Sequence, residues 1–85
     1  MQDLTTQFEE CLRRHCRLVK PGSVNYAVAL AELGLDSMAT VALLVDMEKT
    51  FAIRFHDEML VDDTFRTAGA LRNAVELLLR ERQMA

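Results

Sequence analysis

Apolar residues recur at helical spacing in three segments of this chain, and that periodicity excludes most sheet folds. A capping box at Thr6 and Glu9 starts the first predicted helix, which runs to Val19. A second helix opens at residues 36–37 and continues through residue 50, and Thr67 caps a last helix. The pattern predicts an all-α fold.

The segments between these helices are short or irregular, apart from one long connection. The stretch 51–55 alternates briefly but has no partner strand, so we predict an extended link, and residues 57–60 are predicted to form a short helix. Residues 21–36 form a loop longer than the usual two to eight residues between bundle helices. We therefore expect a small four-helix bundle with three long helices, a short helix three and a long loop between helices one and two.

The second predicted helix has apolar side chains on two sides. One side carries Thr40, Leu43, Leu44, Met47 and Phe51. The other carries Met38, Val41, Val45 and Ala52, with Ser37 and Glu48 at its edge and Ala42 beside it. A helix in so small a domain buries one stripe, so the second is either a docking surface or is partly covered by the loop through Leu30 or Leu35.

Length and charge exclude several classes of function. Eighty-five residues make one domain, residues 1–85. A net charge of −3 is the wrong sign for a nucleic-acid partner. No apolar run approaches the roughly 20 residues of a membrane span, and the N-terminus lacks a signal-peptide layout. We therefore expect a cytoplasmic protein with no nucleic-acid or membrane partner, and a monomer.

Two cysteines and two histidines could be assembled on paper into a metal site. Cys11 and Cys16 lie five residues apart in one predicted helix, so they face different directions and cannot bridge. His15 and His56 could complete a ligand set, but no CxxC or HxxxH spacing is present. We interpret both cysteines as packing residues and predict no metal.

Ser37, at the start of the second helix, is either an ordinary N-cap or a group that reacts with help from another protein. Asp-Ser after a glycine is a common helix start. The chain has no G-x-S-x-G elbow, and neither histidine is placed by sequence to serve as a base. We predict no catalytic residues, so any activation of Ser37 must come from a partner.

The segment Glu-Leu-Gly-Leu-Asp-Ser-Met at 32–38 resembles the Gly-x-Asp-Ser-Leu signature of acyl and peptidyl carrier proteins. The order of helices, the long loop and the acidic pI resemble the same family. The run at 36–44 is especially similar to D-alanyl carrier proteins and to discrete aminoacyl carriers of antibiotic pathways. These carriers are not enzymes, and the resemblance implies a non-catalytic four-helix carrier.

The resemblance implies that Ser37 carries 4′-phosphopantetheine, delivered from coenzyme A by a phosphopantetheinyl transferase that contacts Asp36. A phosphodiester there would lie at a helix N-terminus, which favours an anion, and Gly34 and Leu35 would lie beside the arm. An acyltransferase or adenylating enzyme would load the arm, and a downstream synthase or transferase would receive the cargo. The predicted docking residues are Met38, Val41, Ala42, Val45 and Glu48.

The chain also departs from fatty-acid carriers. Ala39 and Ala42 occupy positions where those carriers usually have acids, Met38 replaces leucine, and His56 stands where many relatives have proline. These departures favour a dedicated carrier in a polyketide, nonribosomal peptide or D-alanylation-like pathway. The alternatives are a helical protein–protein interaction domain with Ser37 only an N-cap, and a small metal-binding regulator.

Overall fold

The computed structural model describes residues 3–16, 24–60 and 63–84. The described elements are α1 (Leu4–His15), a 3-10 turn (Leu30–Leu33), α2 (Ser37–Phe51), a second 3-10 turn (Asp57–Met59) and α3 (Ala68–Met84). The β pairing in these ranges is a single isolated bridge between Ala29 and Thr67. The all-α class is confirmed. None of the helices in the described ranges is long and apolar enough to cross a membrane.

The number and bounds of the helices differ from the prediction at two places. The expected short helix at residues 57–60 is a three-residue 3-10 turn, too short for an α-helical hydrogen bond, so the four-helix count is not confirmed. The first helix begins at Leu4 because the Asp3 carboxylate, rather than Thr6, caps it, accepting the Thr6 N–H at 2.8 Å. α1 ends at His15, and the predicted end at Val19 lies outside the described residues.

Each α-helix buries one stripe in a shared core. The largest side chains with almost no exposure are Phe8, Leu12, Leu30, Leu43, Met47, Leu71 and Val75. The spacing of these positions on each helix is the three-to-four-residue period that the sequence shows. Cys11 and Cys16 are buried in the same core, which confirms that they are packing residues, and burial raises the pKa of both thiols.

The long loop is held against α1 and α3 by backbone and side-chain bonds. The Tyr26 hydroxyl donates to Glu9 on α1 at 2.6 Å, and the Tyr26 carbonyl accepts the Gly69 N–H at 3.0 Å. A Cβ on Gly69 would lie only 3.1 Å from that carbonyl oxygen, so α3 can approach the loop this closely because residue 69 is glycine. The Leu30 N–H donates to the Arg66 carbonyl at 2.9 Å, which fixes the loop beside the start of α3.

A polar cluster ties the end of α1 to α2. The Asp46 carboxylate accepts hydrogen bonds from Arg14 at 2.9 Å and from Thr50 at 3.1 Å, and His15 Nε2 lies 2.9 Å away. Partial burial raises the pKa of Asp46, but the bonds from Arg14, His15 and Thr50 together outweigh it and lower that pKa. The contacts set the antiparallel register of α1 on α2.

The two sides of α2 should respond differently to truncation. Leu43 is fully buried, so we expect Leu43→Ala to lower the free energy of unfolding by about 2–5 kcal/mol through lost burial and a cavity. Val41 is 63% exposed, so Val41→Ala should change the free energy of unfolding by less than about 0.5 kcal/mol. Denaturant unfolding of both variants checks this, and an equal loss in the two would contradict the assignment of the faces.

Candidate functional site

The site begins where the loop turns into α2. The 3-10 turn at Leu30–Leu33 ends at Gly34, whose φ of 90° and ψ of 16° lie in the left-handed region. The Gly34 N–H donates to the Ala31 carbonyl at 3.2 Å, which closes the turn. Because glycine adopts this conformation without steric cost, the chain can reverse here, place Leu35 in the core and start α2 two residues later.

Asp36, and not Ser37, caps α2. The Asp36 carboxylate accepts the Ala39 N–H at 2.8 Å, and its carbonyl accepts both the N–H and the hydroxyl of Thr40 at 2.8 Å. Ser37 is therefore the first helical residue. The alternative in which Ser37 is only an N-cap is wrong, because its neighbour already performs that role.

The Ser37 side chain is exposed, and in the described part of the chain its hydroxyl has no hydrogen-bond partner. Within the same ranges, the backbone N–H groups of Ser37 and Met38 are also without partners, as expected in the first turn of a helix. These donors and the positive end of the helix dipole face the same solvent. This end of α2 can therefore accept a phosphate group on the Ser37 oxygen.

A cleft of about 460 Å³ opens beside Ser37 between α2, the loop and the segment that precedes α3. Its lining residues are Leu30, Ala31, Leu35, Ser37, Thr40, Val41, Leu44, Leu60 and Phe65. No charged side chain is among them. Thr40 donates its hydroxyl hydrogen to the Asp36 carbonyl, so the Thr40 oxygen remains available as an acceptor for an arm that enters the cleft.

Sequence reasoning placed Leu35 and Val41 near Ser37 but missed other cleft residues. Leu60 and Phe65 come from a segment far along the chain, and only the packing of that segment brings them to Ser37. No local pattern in the sequence could have indicated this. The alternative in which the loop covers the second stripe is wrong, because Leu30 and Leu35 are buried and line the cleft while Met38, Val41 and Val45 stay exposed.

The second apolar side of α2 is exposed. Met38 is 84% exposed, Val41 63% and Val45 40%, and Ala42 beside them is also exposed. We call Met38, Val41 and Val45 the exposed stripe. It begins one residue after Ser37 and follows the helix for two turns, as the sequence predicted.

Glu48 has a structural role that the sequence did not indicate. It is half-buried, and its carboxylate accepts the Phe55 N–H at 2.9 Å. Its carbonyl accepts the N–H groups of Ala52 and Ile53. Glu48 thus holds the link after α2, and its assignment as a docking residue stays a prediction.

The histidines are separated and paired with acids. His15 pairs with Asp46, and His56 lies 2.9 Å from Glu81 on α3, whose hydrogen bond raises the pKa of His56. No group of three or more metal-ligating side chains occurs in residues 3–16, 24–60 and 63–84. Within those ranges, the ligand set that the metal-site alternative requires is therefore not assembled.

Comparison with known families identifies the family to which this chain belongs. Residues 6–75 match the family described as the phosphopantetheine attachment site. The chain belongs to this phosphopantetheine-binding family. Proteins of the family carry 4′-phosphopantetheine covalently and are carriers rather than enzymes, so the expected prosthetic group and the lack of catalysis are confirmed. A comparison with curated proteins gives no match.

Solved structures give the same fold. The carrier is similar to a chain in a complex of an engineered Bradyrhizobium japonicum glycine:[carrier protein] ligase with a carrier protein from Agrobacterium tumefaciens and AMP. The TM-score is 0.75 and the identity 27% over 86% of this chain and 99% of that chain. The corresponding complex with ATP gives a TM-score of 0.77 and 28% identity over 88% and 99%.

Mutation can distinguish the capping role of Asp36 from the role of the Ser37 hydroxyl in this carrier. Asp36→Ala should lower the free energy of unfolding by about 0.5–2 kcal/mol, because the Ala39 N–H loses its acceptor. Ser37→Ala should change it by less than about 0.5 kcal/mol, since the hydroxyl caps nothing. Thermal and denaturant unfolding of the carrier measure both. Asp36→Asn, which keeps an acceptor oxygen, is the control, and a larger loss in Ser37→Ala would contradict the assignment of the cap.

Proposed function

We propose that this protein is an aminoacyl carrier in which Ser37 bears the 4′-phosphopantetheine arm and residues 1–85 act as one carrier domain. The observation that carries the proposal is the exposed Ser37 hydroxyl, which has no partner in the described residues and lies on a cleft without charged side chains at the start of α2. The Gly-Leu-Asp-Ser motif at 34–37 supports the same position. The bound arm supplies a thiol that holds the cargo as a thioester.

The attachment step is proposed to require a phosphopantetheinyl transferase, because the Ser37 hydroxyl has no hydrogen-bond partner among the described residues that could take its proton. Ser37 Oγ forms the phosphodiester bond, the pyrophosphate bond of coenzyme A breaks, and 3′,5′-adenosine bisphosphate leaves. The hydroxyl proton passes to the transferase. Asp36 immediately precedes Ser37 and, with Gly34 and Leu35, forms the turn into α2 that would shape the approach to the reacting oxygen.

A ligase that activates an amino acid with ATP is the proposed loading partner. The two structural neighbours contain a carrier protein with a glycine:[carrier protein] ligase and with AMP or ATP, at 27% and 28% identity to this chain. We transfer this class of partner to the present carrier. A small amino acid is accordingly the proposed cargo, rather than the fatty acyl chain of housekeeping carriers.

The remaining proposals concern where the carrier acts. The alanines at positions 39 and 42 distinguish it from acid-rich fatty-acid carriers, which supports a dedicated pathway of the polyketide or nonribosomal peptide type. A downstream synthase or transferase would receive the cargo. Since coenzyme A is the donor of the arm, we propose that the carrier acts in the cytoplasm. We also propose that it is a monomer.

Partners are proposed to dock on the exposed stripe. Met38, Val41 and Val45, with Ala42, form an apolar surface that starts at the attachment residue, so an enzyme bound there would have the arm at its active site. Asp36 and Glu48 are the acids at the two ends of this surface. Apolar burial, and not long-range attraction between charges, would then supply most of the affinity.

Arm attachment tests the proposed site directly. Incubation of the apo carrier with coenzyme A and a permissive transferase should add the mass of one phosphopantetheine to the wild type and none to Ser37→Ala. Ser23 is the other serine in the chain, so Ser23→Ala is the matched control and should be modified fully. Modification of Ser37→Ala would contradict the assignment, and intact mass spectrometry gives the answer.

Loading tests the docking surface. Met38→Ala and Val41→Ala should each slow glycine transfer by a glycine:[carrier protein] ligase roughly tenfold, the factor that corresponds to about 1.4 kcal/mol of lost interface contact. Leu77→Ala is the matched control, since Leu77 is 44% exposed but lies on α3 and does not line the cleft. Equal slowing in all three variants would exclude the exposed stripe as the docking surface.

A further inference from the structure

We propose that Glu48 is a positioning residue for the cleft beside Ser37, acting through Phe55 on Phe65. The cleft matters for activity only if the proposed function is correct, so the proposal rests on that function. The positioning itself is a property of the free protein. Three consecutive observations carry it: a hydrogen bond from the link to Glu48, a ring contact, and the place of one ring in the cleft wall.

The first contact fixes the link to the helix. Glu48 Oε2 accepts the Phe55 N–H at 2.9 Å, and the Glu48 carbonyl accepts the Ile53 N–H at 3.1 Å. α2 ends at Phe51, and the next residue, Ala52, has a φ of 55° and a ψ of 48°, a left-handed conformation that is uncommon for a residue with a Cβ. The chain therefore turns sharply after α2, and the side chain of Glu48 is the group that holds the far side of that turn.

The second contact links the Phe55 ring to the wall of the cleft. Phe55 is buried, with 6% of its surface exposed, and its ring centroid lies 5.8 Å from that of Phe65 at an interplanar angle of 48°. Phe65 in turn lines the cleft together with Ser37 and Leu60. Phe65 is only partly buried, so few groups surround its ring. The contact with the Phe55 ring is one that would restrict rotation of the Phe65 ring.

The chemistry requires an acceptor of a definite length at position 48. The Phe55 N–H lies at the edge of the core, where a donor without an acceptor is destabilising. Glutamine keeps a carbonyl oxygen at the same distance from the backbone, whereas aspartate keeps the charge but is one methylene shorter. Reach, and not charge, is therefore the property that the cleft depends on.

Nuclear magnetic resonance of the apo protein tests this without any loading reaction. The measured quantities are the ring-flip rate of Phe65 and the cross-relaxation between the rings of Phe55 and Phe65, in protein with labelled phenylalanine. Glu48→Gln should match the wild type. Glu48→Ala and Glu48→Asp should raise the flip rate at least tenfold and weaken the contact between the two rings.

Glu58 provides the matched control, because it is an exposed glutamate with no hydrogen bond in the described residues and lies closer in sequence to the cleft residue Leu60. Glu58→Ala should leave the Phe65 ring unchanged. An unchanged ring in Glu48→Asp, or a ring in Glu48→Gln as mobile as in Glu48→Asp, would overturn the proposal even if Glu48→Ala failed to fold. Failure of arm attachment at Ser37 would overturn the proposed function and leave these ring measurements standing.

Discussion

The hydrogen bond from the Ala39 N–H to the Asp36 carboxylate is the interaction on which the functional end of this protein depends. It ends the loop and starts α2 at one residue, so Ser37 becomes the first helical residue rather than the cap. A capping serine would have its oxygen committed to a backbone N–H. With Asp36 in that role, the Ser37 oxygen is available for a phosphodiester, and the remaining N–H groups of the first turn can face the phosphate.

Burial then explains why one helix can serve both the core and a partner. α1, α3 and the loop cover only the side of α2 that carries Leu43, Met47 and Phe51. Among the described residues, the side chains of the opposite stripe stay exposed, and the gap between α2, Leu60 and Phe65 leaves the cleft. Ser37, the proposed attachment residue, lies where the stripe and the cleft meet, so in the proposed function the cargo and the partner surface share one end of the helix.

An acid has the same structural role at each end of α2. At its start, Asp36 satisfies a backbone donor, and at its end Glu48 does the same for Phe55. Both acids that the sequence offered as docking contacts are therefore also structural acceptors. A substitution at either position changes local geometry as well as charge, which is why variants that preserve the acceptor, such as amides, are needed to separate recognition from structure.

The sequence by itself determined the helical class, the exposed stripe and the position of Ser37. These follow from local rules: a period of 3.6 residues sorts Leu43 from Val41, and the glycine at 34 and the acid at 36 define where a helix can begin. It placed the cap of α3 correctly at Thr67, whose hydroxyl accepts the Ala70 N–H at 3.0 Å, but it misplaced the cap of α1 and left Ser37 open as a possible cap of α2. Neighbouring Asp, Ser and Thr residues have similar capping preferences, and only backbone geometry selects among them. Only the tertiary structure decided the cleft wall and the role of Glu48, since Phe65 lies 28 positions beyond Ser37 (65 minus 37) and meets it through long-range packing. Local patterns carry no information on such contacts, whereas burial of Phe55 and the turn after α2 fix them.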